Sequence, residues 1–408
     1  MNQAPLSSTA DASASSPTSG LQVRQNTATG TVALLVFLAA GVAGACLPLL
    51  GNTLAVQWAR EFLMLLALAS LWNLLAGYAG LVSVGQQAFV GFGAYVFLHF
   101  SLSADKSIGQ DWTQIDPMTG LGKTITLADS FPAWMFVGPL HPLISVALAM
   151  ILGGLLAVPV SWVVFRLRGP YFAIGTWVVA VVVQLIVGQL GWLGKGTGTA
   201  ISLDYAFRFG DINAVHEAFQ SVRPDTKKVF AREAYRFWMM LAATIAILLG
   251  ILLVIRSRIG LALAAIRDNE AAASALGVNP TRLKLLLFVA VGAATALVGA
   301  IGAFDESGVL PVKNFSLLEY TAFIIFIVVI GGIGSFEGPI IGTMIYFAAD
   351  KVLTGLVGEY FYIVLGVIGI LVMLFAPKGL WGLFQERTGF SLFPVRRHVL
   401  FEKRDQDA

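Results

Sequence analysis

Long apolar runs follow one another along most of the chain, separated by short polar or glycine-rich stretches. A helix needs about 20 apolar residues to cross the hydrocarbon core of a bilayer. By that rule ten spans are expected: 31–50, 61–79, 82–100, 143–165, 171–193, 237–255, 285–304, 319–334, 338–356 and 360–376. The third carries Ser83, Gln86 and Gln87, and the eighth is short and ends in glycines. Eight or nine spans with one re-entrant segment are therefore the alternative. The expected fold class is an all-α, polytopic integral membrane protein. Residues 1–30, rich in Ser, Thr, Ala and Gln, read as a disordered tail. The membrane domain is expected over 31–376 and a second tail over 377–408. Long loops, 101–142 and 194–236, fall on one side, and the loop 256–284 on the other. Ten spans put both termini on one side, and the distribution of Lys and Arg favours the cytoplasm for it.

Composition sharpens this picture. Hydrophobic residues make up 57% of the 408 and charged residues only 12%. A soluble domain carries about 25% charged residues. With mean hydropathy +0.80 and net charge +3, an ordinary cytosolic enzyme and a nucleic-acid binder are excluded. The single cysteine, Cys46, allows no intrachain disulfide. Ala43-Gly44-Ala45-Cys46 faintly resembles a lipoprotein cleavage box, but without flanking basic residues the run reads as a retained span. The four histidines have no metal-ligand spacing, and no catalytic constellation lies at membrane depth.

Several motifs carry candidate chemistry. Gly120-Leu121-Gly122-Lys123-Thr124 looks like the end of a phosphate loop, but Pro117 stands where the first glycine is required. Asp350 and Lys351 are the only charges well inside an expected span, and they read as an anchor near the interface, the Lys snorkelling outward. Two glycine-rich stretches, 77–93 and 331–339, interrupt the apolar runs. In the second, Gly334, Gly338 and Gly342 have the spacing of one face on a continuing helix, suited to close packing. The first places Ser83, Gln86 and Gln87 at membrane depth, where broken helices lining a water-filled path would satisfy them. In the loop 256–284, Asn279 and Pro280 are expected to start the next span and Gly277 to stop a short helix over 268–276. Asp268 and Glu270 would complement its dipole, and Ala271, Ala272 and Ala275 would form a small-residue face. The segment reads equally as a docking element or an interfacial linker.

Here a resemblance enters. The loop GLALAAIRDNEAAASALGVNPTRLKLLLF resembles that of LivM-type permeases of branched-chain amino acid ABC importers. The stretches 77–96, 166–180, 327–343 and 374–384 match the same family in order. The resemblance implies a permease half paired with a LivH-type permease. It also implies two cytoplasmic ATPase subunits, which bind ATP and Mg, and a periplasmic binding protein that delivers substrate. This chain would bind no cofactor and act in the bacterial inner membrane by alternating access. Arg267, Asp268, Asn269, Glu270, Ala271, Ala272, Ala275 and Gly277 would form the ATPase-coupling segment. The general permease loop has a glycine six residues after its Glu, whereas Gly277 stands seven after Glu270. Ser83, Gln86, Gln87, Tyr171 and Thr176 are the candidate path residues. A self-sufficient secondary transporter or channel is the alternative function.

Overall fold

The computed structural model describes residues 22–24, 39–102, 112–115, 122–125, 140–190, 209–222, 224, 227–304, 308–376, 378–388 and 398–400. Most of the expected tails, and much of the loops 101–142 and 194–236, lie outside these residues.

The described chain is a helical bundle. Seven of its helices are long and apolar enough to cross a membrane. They are α2 (Thr53–Asn73, prolonged by a π turn to Tyr78), α4 (Pro142–Val164), α5 (Pro170–Gly188), α7 (Lys228–Arg256), α10 (Pro280–Ala303), the run Pro311–Gly331 and the run Phe361–Thr388. The run Pro311–Gly331 comprises α11 (Pro311–Asn314), a π turn over Leu318–Ala322 and α12 (Phe323–Gly331). The run Phe361–Thr388 comprises α14 (Phe361–Phe375) and α15 (Gly379–Thr388). Each of the seven overlaps one of the expected spans, and only Lys228–Arg256 contains its span whole. The other three expected spans correspond to α1 (Ala39–Leu50), α3 (Gln86–Leu102) and α13 (Gly338–Val357). Helix α1 turns into a 3-10 helix at Leu47, with Pro48 at its start. Helix α3 has 17 residues because the chain from Gly80 to Gly85 is not helical. Helix α13 has 20 residues and carries Asp350 and Lys351.

Proline at the first turn starts α4, α5, α10 and α11, where the missing N–H has no helical partner to lose. The expected 194–236 loop is shorter than read from sequence. Helix α6 (Gly210–Val222) occupies part of it, and α7 begins at Lys228, nine residues ahead of the expected span. Arg232, Glu233 and Arg236 therefore lie on a buried helical turn, with Arg236 Nη1 donating to Glu233 Oε1 at 2.6 Å. Burial of apolar neighbours such as Phe230 and Phe237 draws this turn into the bundle despite its charge.

Helix α10 packs against both α3 and α4 at the centre. A Cβ at Gly93 would sit 2.0 Å from the Ala296 carbonyl oxygen, and one at Gly299 would sit 2.1 Å from that of Val90. Only glycine allows this backbone approach. Two short antiparallel pairs complete the structure. Strand β1 (Gln22–Arg24) pairs with β4 (His398–Leu400), which brings the two terminal segments together. Strand β2 (Trp112–Ile115) pairs with β3 (Gly122–Ile125), so Lys123 and Thr124 of the phosphate-loop lookalike are strand residues.

Candidate functional site

The loop 256–284 folds as two helices rather than one. Helix α8 (Arg258–Asp268) is capped by Ser257 and buries Gly260, Leu263 and Ile266. Helix α9 (Glu270–Ala275) has six residues, and Asn269 is its cap, its side chain accepting from Ala272 N at 3.0 Å. The expected start at Asp268 is thus corrected. Asn269 is extended, the usual backbone of a cap, and this separates Asp268 from α9. Asp268 instead ends α8 and pairs with Arg267 at 3.0 Å. At six residues α9 is about 9 Å long. Its end follows the expectation. Gly277 has φ +85°, Gly277 N donates to Ser274 O at 3.0 Å, and Val278 N donates to Ala273 O at 3.2 Å. These are the two bonds of a Schellman stop. Asn279 then accepts from Arg282 N at 3.1 Å and begins α10.

Helix α9 leans on the bundle through Ala273, which is buried, and through a Lys284–Glu270 pair at 2.7 Å. Ala271, Ala272 and Ala275 are exposed, and Leu276 is 83% exposed. A large apolar side chain and three alanines thus face outward from a helix fixed at both ends. Among the described residues nothing covers them.

Arg267 connects this segment to the glycine-rich breaks. Its Nη1 donates to the Gly77 carbonyl at 2.9 Å and lies beside Gly334. Asn73 joins the two breaks directly. Its Nδ2 donates to Ser335 O at 2.8 Å, and its Oδ1 accepts from Gly334 N at 2.8 Å. A Cβ at Gly77 would sit 2.5 Å from Gly334 N. The π turn that ends α2, the break between α12 and α13, and Arg267 therefore meet at one node. Gly332 (φ +126°) and Gly334 (φ +78°) adopt conformations that L side chains rarely reach, so the chain turns there instead of continuing as a helix. This corrects the expected helical face for Gly334. Gly338 and Gly342 keep the close-packing role, a Cβ at Gly342 falling 2.0 Å from Ile327 O.

The first glycine-rich stretch is a broken helix. Four of the five candidate path residues gather at the break and are buried: Ser83, Gln86, Gln87 and Thr176. Thr176 Oγ1 accepts from Val84 N at 3.0 Å, and Ser83 Oγ accepts from Gly85 N at 3.3 Å. Gln86 Nε2 donates to Leu68 O at 3.0 Å, while Gln86 Oε1 is buried without a hydrogen-bond partner. Gln87 Oε1 accepts from Thr321 Oγ1. The fifth residue, Tyr171, is 70% exposed in the first turn of α5 and does not join the cluster. Packing selects its surface position, because the α5 residues that turn inward are Phe172, Thr176, Ala180 and Val187.

The sequence reading missed Asn73, a polar residue within an apolar run, and Thr321, which follows Glu319 and Tyr320 at the start of one. It also missed α8, whose mixed composition hides its buried face.

Comparison with known proteins places the chain in a family. The model of the branched-chain amino acid transport system permease component matches residues 54–373. The chain is 26% identical over 322 residues to the high-affinity branched-chain amino acid transport system permease protein LivM of Salmonella typhimurium. The match covers 76% of this chain and 65% of that relative. LivM of Escherichia coli is 24% identical over the same shares of the two chains. BraD of Pseudomonas aeruginosa, another such permease, is 31% identical over 152 residues, 36% of this chain and 48% of its own length. This chain thus spans about two thirds of the length of the LivM relatives. No solved structure matches it. The family model covers most of the chain, so the chain belongs to the branched-chain amino acid transport system permease components.

Proposed function

We propose that this chain is a membrane subunit of an ATP-driven importer for branched-chain or related amino acids, acting in the bacterial inner membrane. It works beside a second, LivH-type permease, over two cytoplasmic ATPase subunits and under a periplasmic binding protein. ATP and Mg bind on the ATPase subunits, and this chain binds no cofactor of its own. Family membership supports the transport role. The single structural observation that carries the coupling role is the Arg267–Gly77 hydrogen bond, which ties the exposed α9 segment to the break in α2.

The mechanism follows from that geometry. Helix α9 presents Ala271, Ala272, Ala275 and Leu276 to a groove on an ATPase subunit, small side chains permitting close approach. Closure of the ATPase pair displaces α8 and α9 together, because the Schellman stop and the Glu270–Lys284 pair hold α9 against the start of α10. Arg267 passes the displacement to Gly77, and Asn73 shares it with Gly334. Both receivers are helix breaks, where backbone angles change at least cost. Opening at the Ser83–Gln87 break then alternates the path between the two sides of the membrane. On this reading the termini are cytoplasmic, on the side of α9.

The experiment is Ala272→Trp in the full chain expressed with its partner subunits. The bulky ring is expected to reduce ATPase co-purification at least tenfold while membrane insertion stays normal. Unchanged co-purification would remove α9 from the docking surface.

A further inference from the structure

A charged group lies at membrane depth on the far half of the bundle from α9. Lys351 Nζ, on α13, donates to Glu61 Oε2 on α2 at 2.8 Å and lies 3.1 Å from Asp350 Oδ2. The Lys351 ammonium also stands 4.9 Å from the Phe347 ring centroid and 5.9 Å from that of Trp58. Glu319, in the π turn before α12, is within electrostatic reach of Glu61 and of Lys313. Three carboxylates thus share the neighbourhood with two ammonium groups.

Depth follows from helix length. The 26 residues Thr53–Tyr78 make about 39 Å of helix, longer than the roughly 30 Å hydrocarbon core. Glu61 lies eight residues from the start of α2, about 12 Å along the axis, and Lys351 lies six residues, about 9 Å, from the outer end of α13. The end of α2 opposite Glu61 is fixed by the Gly77–Arg267 contact. The group is therefore on the side away from α9.

Its side chains remain reachable. Glu61 is 46% exposed, Lys351 26% and Asp350 24%. Lys351 pairs across to Glu61 on α2 as well as with Asp350 on its own helix. The sequence reading of Asp350 and Lys351 as an anchor did not include Glu61, which comes from 290 residues away. Charged side chains at this depth face protein or water, not lipid. The same two helices also carry the node at the other end, since Asn73 of α2 holds Gly334 and Ser335 just ahead of α13. Asn73 and Glu61 are about 18 Å apart along α2.

We propose that Glu61, Asp350 and Lys351 line the water-filled path near its outer end, where they receive a small zwitterionic solute by its ammonium group. The excess carboxylate suits that end of the solute, and Lys351 meets its carboxylate. Because Lys351 bridges the two acids, an arriving zwitterion exchanges one of two internal ion pairs for two external ones. The solute class rests on the amino-acid importer reading above; the water exposure of the group does not.

The test uses the full chain with its partner subunits in cells, after Cys46→Ser has removed the only cysteine. Ala348 is exposed one turn from Lys351 near the middle of α13. Ala348→Cys is expected to react with a membrane-impermeant methanethiosulfonate added outside. Reaction of Ala348→Cys only with a lipid-soluble maleimide would overturn the path assignment. In the same cells, Glu61→Gln with Asp350→Asn is expected to lower uptake of labelled leucine at least tenfold, with the amount of assembled complex unchanged. Wild-type uptake by that double variant would overturn the solute contact. Labelling without uptake, by the unsubstituted protein, of leucine or of any amino acid that the partner binding protein takes would sink the importer reading and leave the path assignment standing.

Discussion

Removing the Asn73 carboxamide is expected to loosen the node without unfolding the bundle. Asn73 is 3% exposed, and Asn73→Ala deletes two hydrogen bonds of 2.8 Å, one to Ser335 O and one from Gly334 N. Each typical bond is worth about 1 kcal/mol net, and each buried orphan about 1–3 kcal/mol. Gly334 and Ser335 are half-buried, so water reaches them in part and the lower end of the range applies. The expected local destabilisation is about 2–3 kcal/mol, or one to two orders of magnitude in the opening equilibrium. Hydrogen–deuterium exchange reads this directly. Peptides over 332–337 should lose ten- to hundredfold protection, while those of α4 and α10 keep theirs. Gly77→Ala, whose Cβ would lie 2.5 Å from both Asn73 Oδ1 and Gly334 N, should open the same peptides. The two substitutions combined should add less than the sum of the separate effects, because they break one contact set. Unchanged exchange at 332–337 in Asn73→Ala would refute the node as a structural unit.

Other outcomes follow from single contacts. Arg267→Ala removes the bond to Gly77 and should leave ATPase co-purification intact while uptake per ATP hydrolysed falls several-fold; proportional loss of both would point to simple misfolding. Gly277→Val forces a β-branched residue to φ +85°, costs about 1–2 kcal/mol, and should weaken ATPase docking as measured by pull-down. Glu270→Gln breaks a pair whose carboxylate is 56% exposed, so thermal stability should move by less than about 1 kcal/mol. Gly93→Leu places a side chain where a Cβ already lies 2.0 Å from Ala296 O; it should part α3 from α10, and the purified protein should unfold at clearly lower temperature.

Much of the bundle was legible because hydrocarbon imposes one rule on every span. Proline and asparagine at 279–280 marked the start of α10, and Gly277 marked the stop of α9, since each has a local backbone reason to be there. Tertiary contacts were not legible in the same way. Asn73 reads as one polar residue in an apolar run until the fold brings Gly334 to it from 261 residues away. Glu61 reads as a span-end charge until Lys351 reaches it. The start of α9 was misplaced by two residues because Asp268 and Asn269 are both good caps, and only the extended backbone of Asn269 decides between them. Likewise Gly334 fits a helical four-residue spacing, and its positive φ appears only in three dimensions.

Uptake by the reconstituted complex tests the transport claim most directly. This chain, its partner permease, the ATPase subunits and the binding protein are placed in liposomes, with ATP and Mg on the ATPase side. Radiolabelled leucine, or a related amino acid that the binding protein takes, should accumulate in the compartment holding the ATP. Accumulation should stop when ATP or this chain is left out, and the chain alone should hydrolyse no ATP. Uptake driven by an ion gradient without the ATPase subunits, or ATP hydrolysis by this chain alone, would contradict the reading of this protein as a permease powered by its partners.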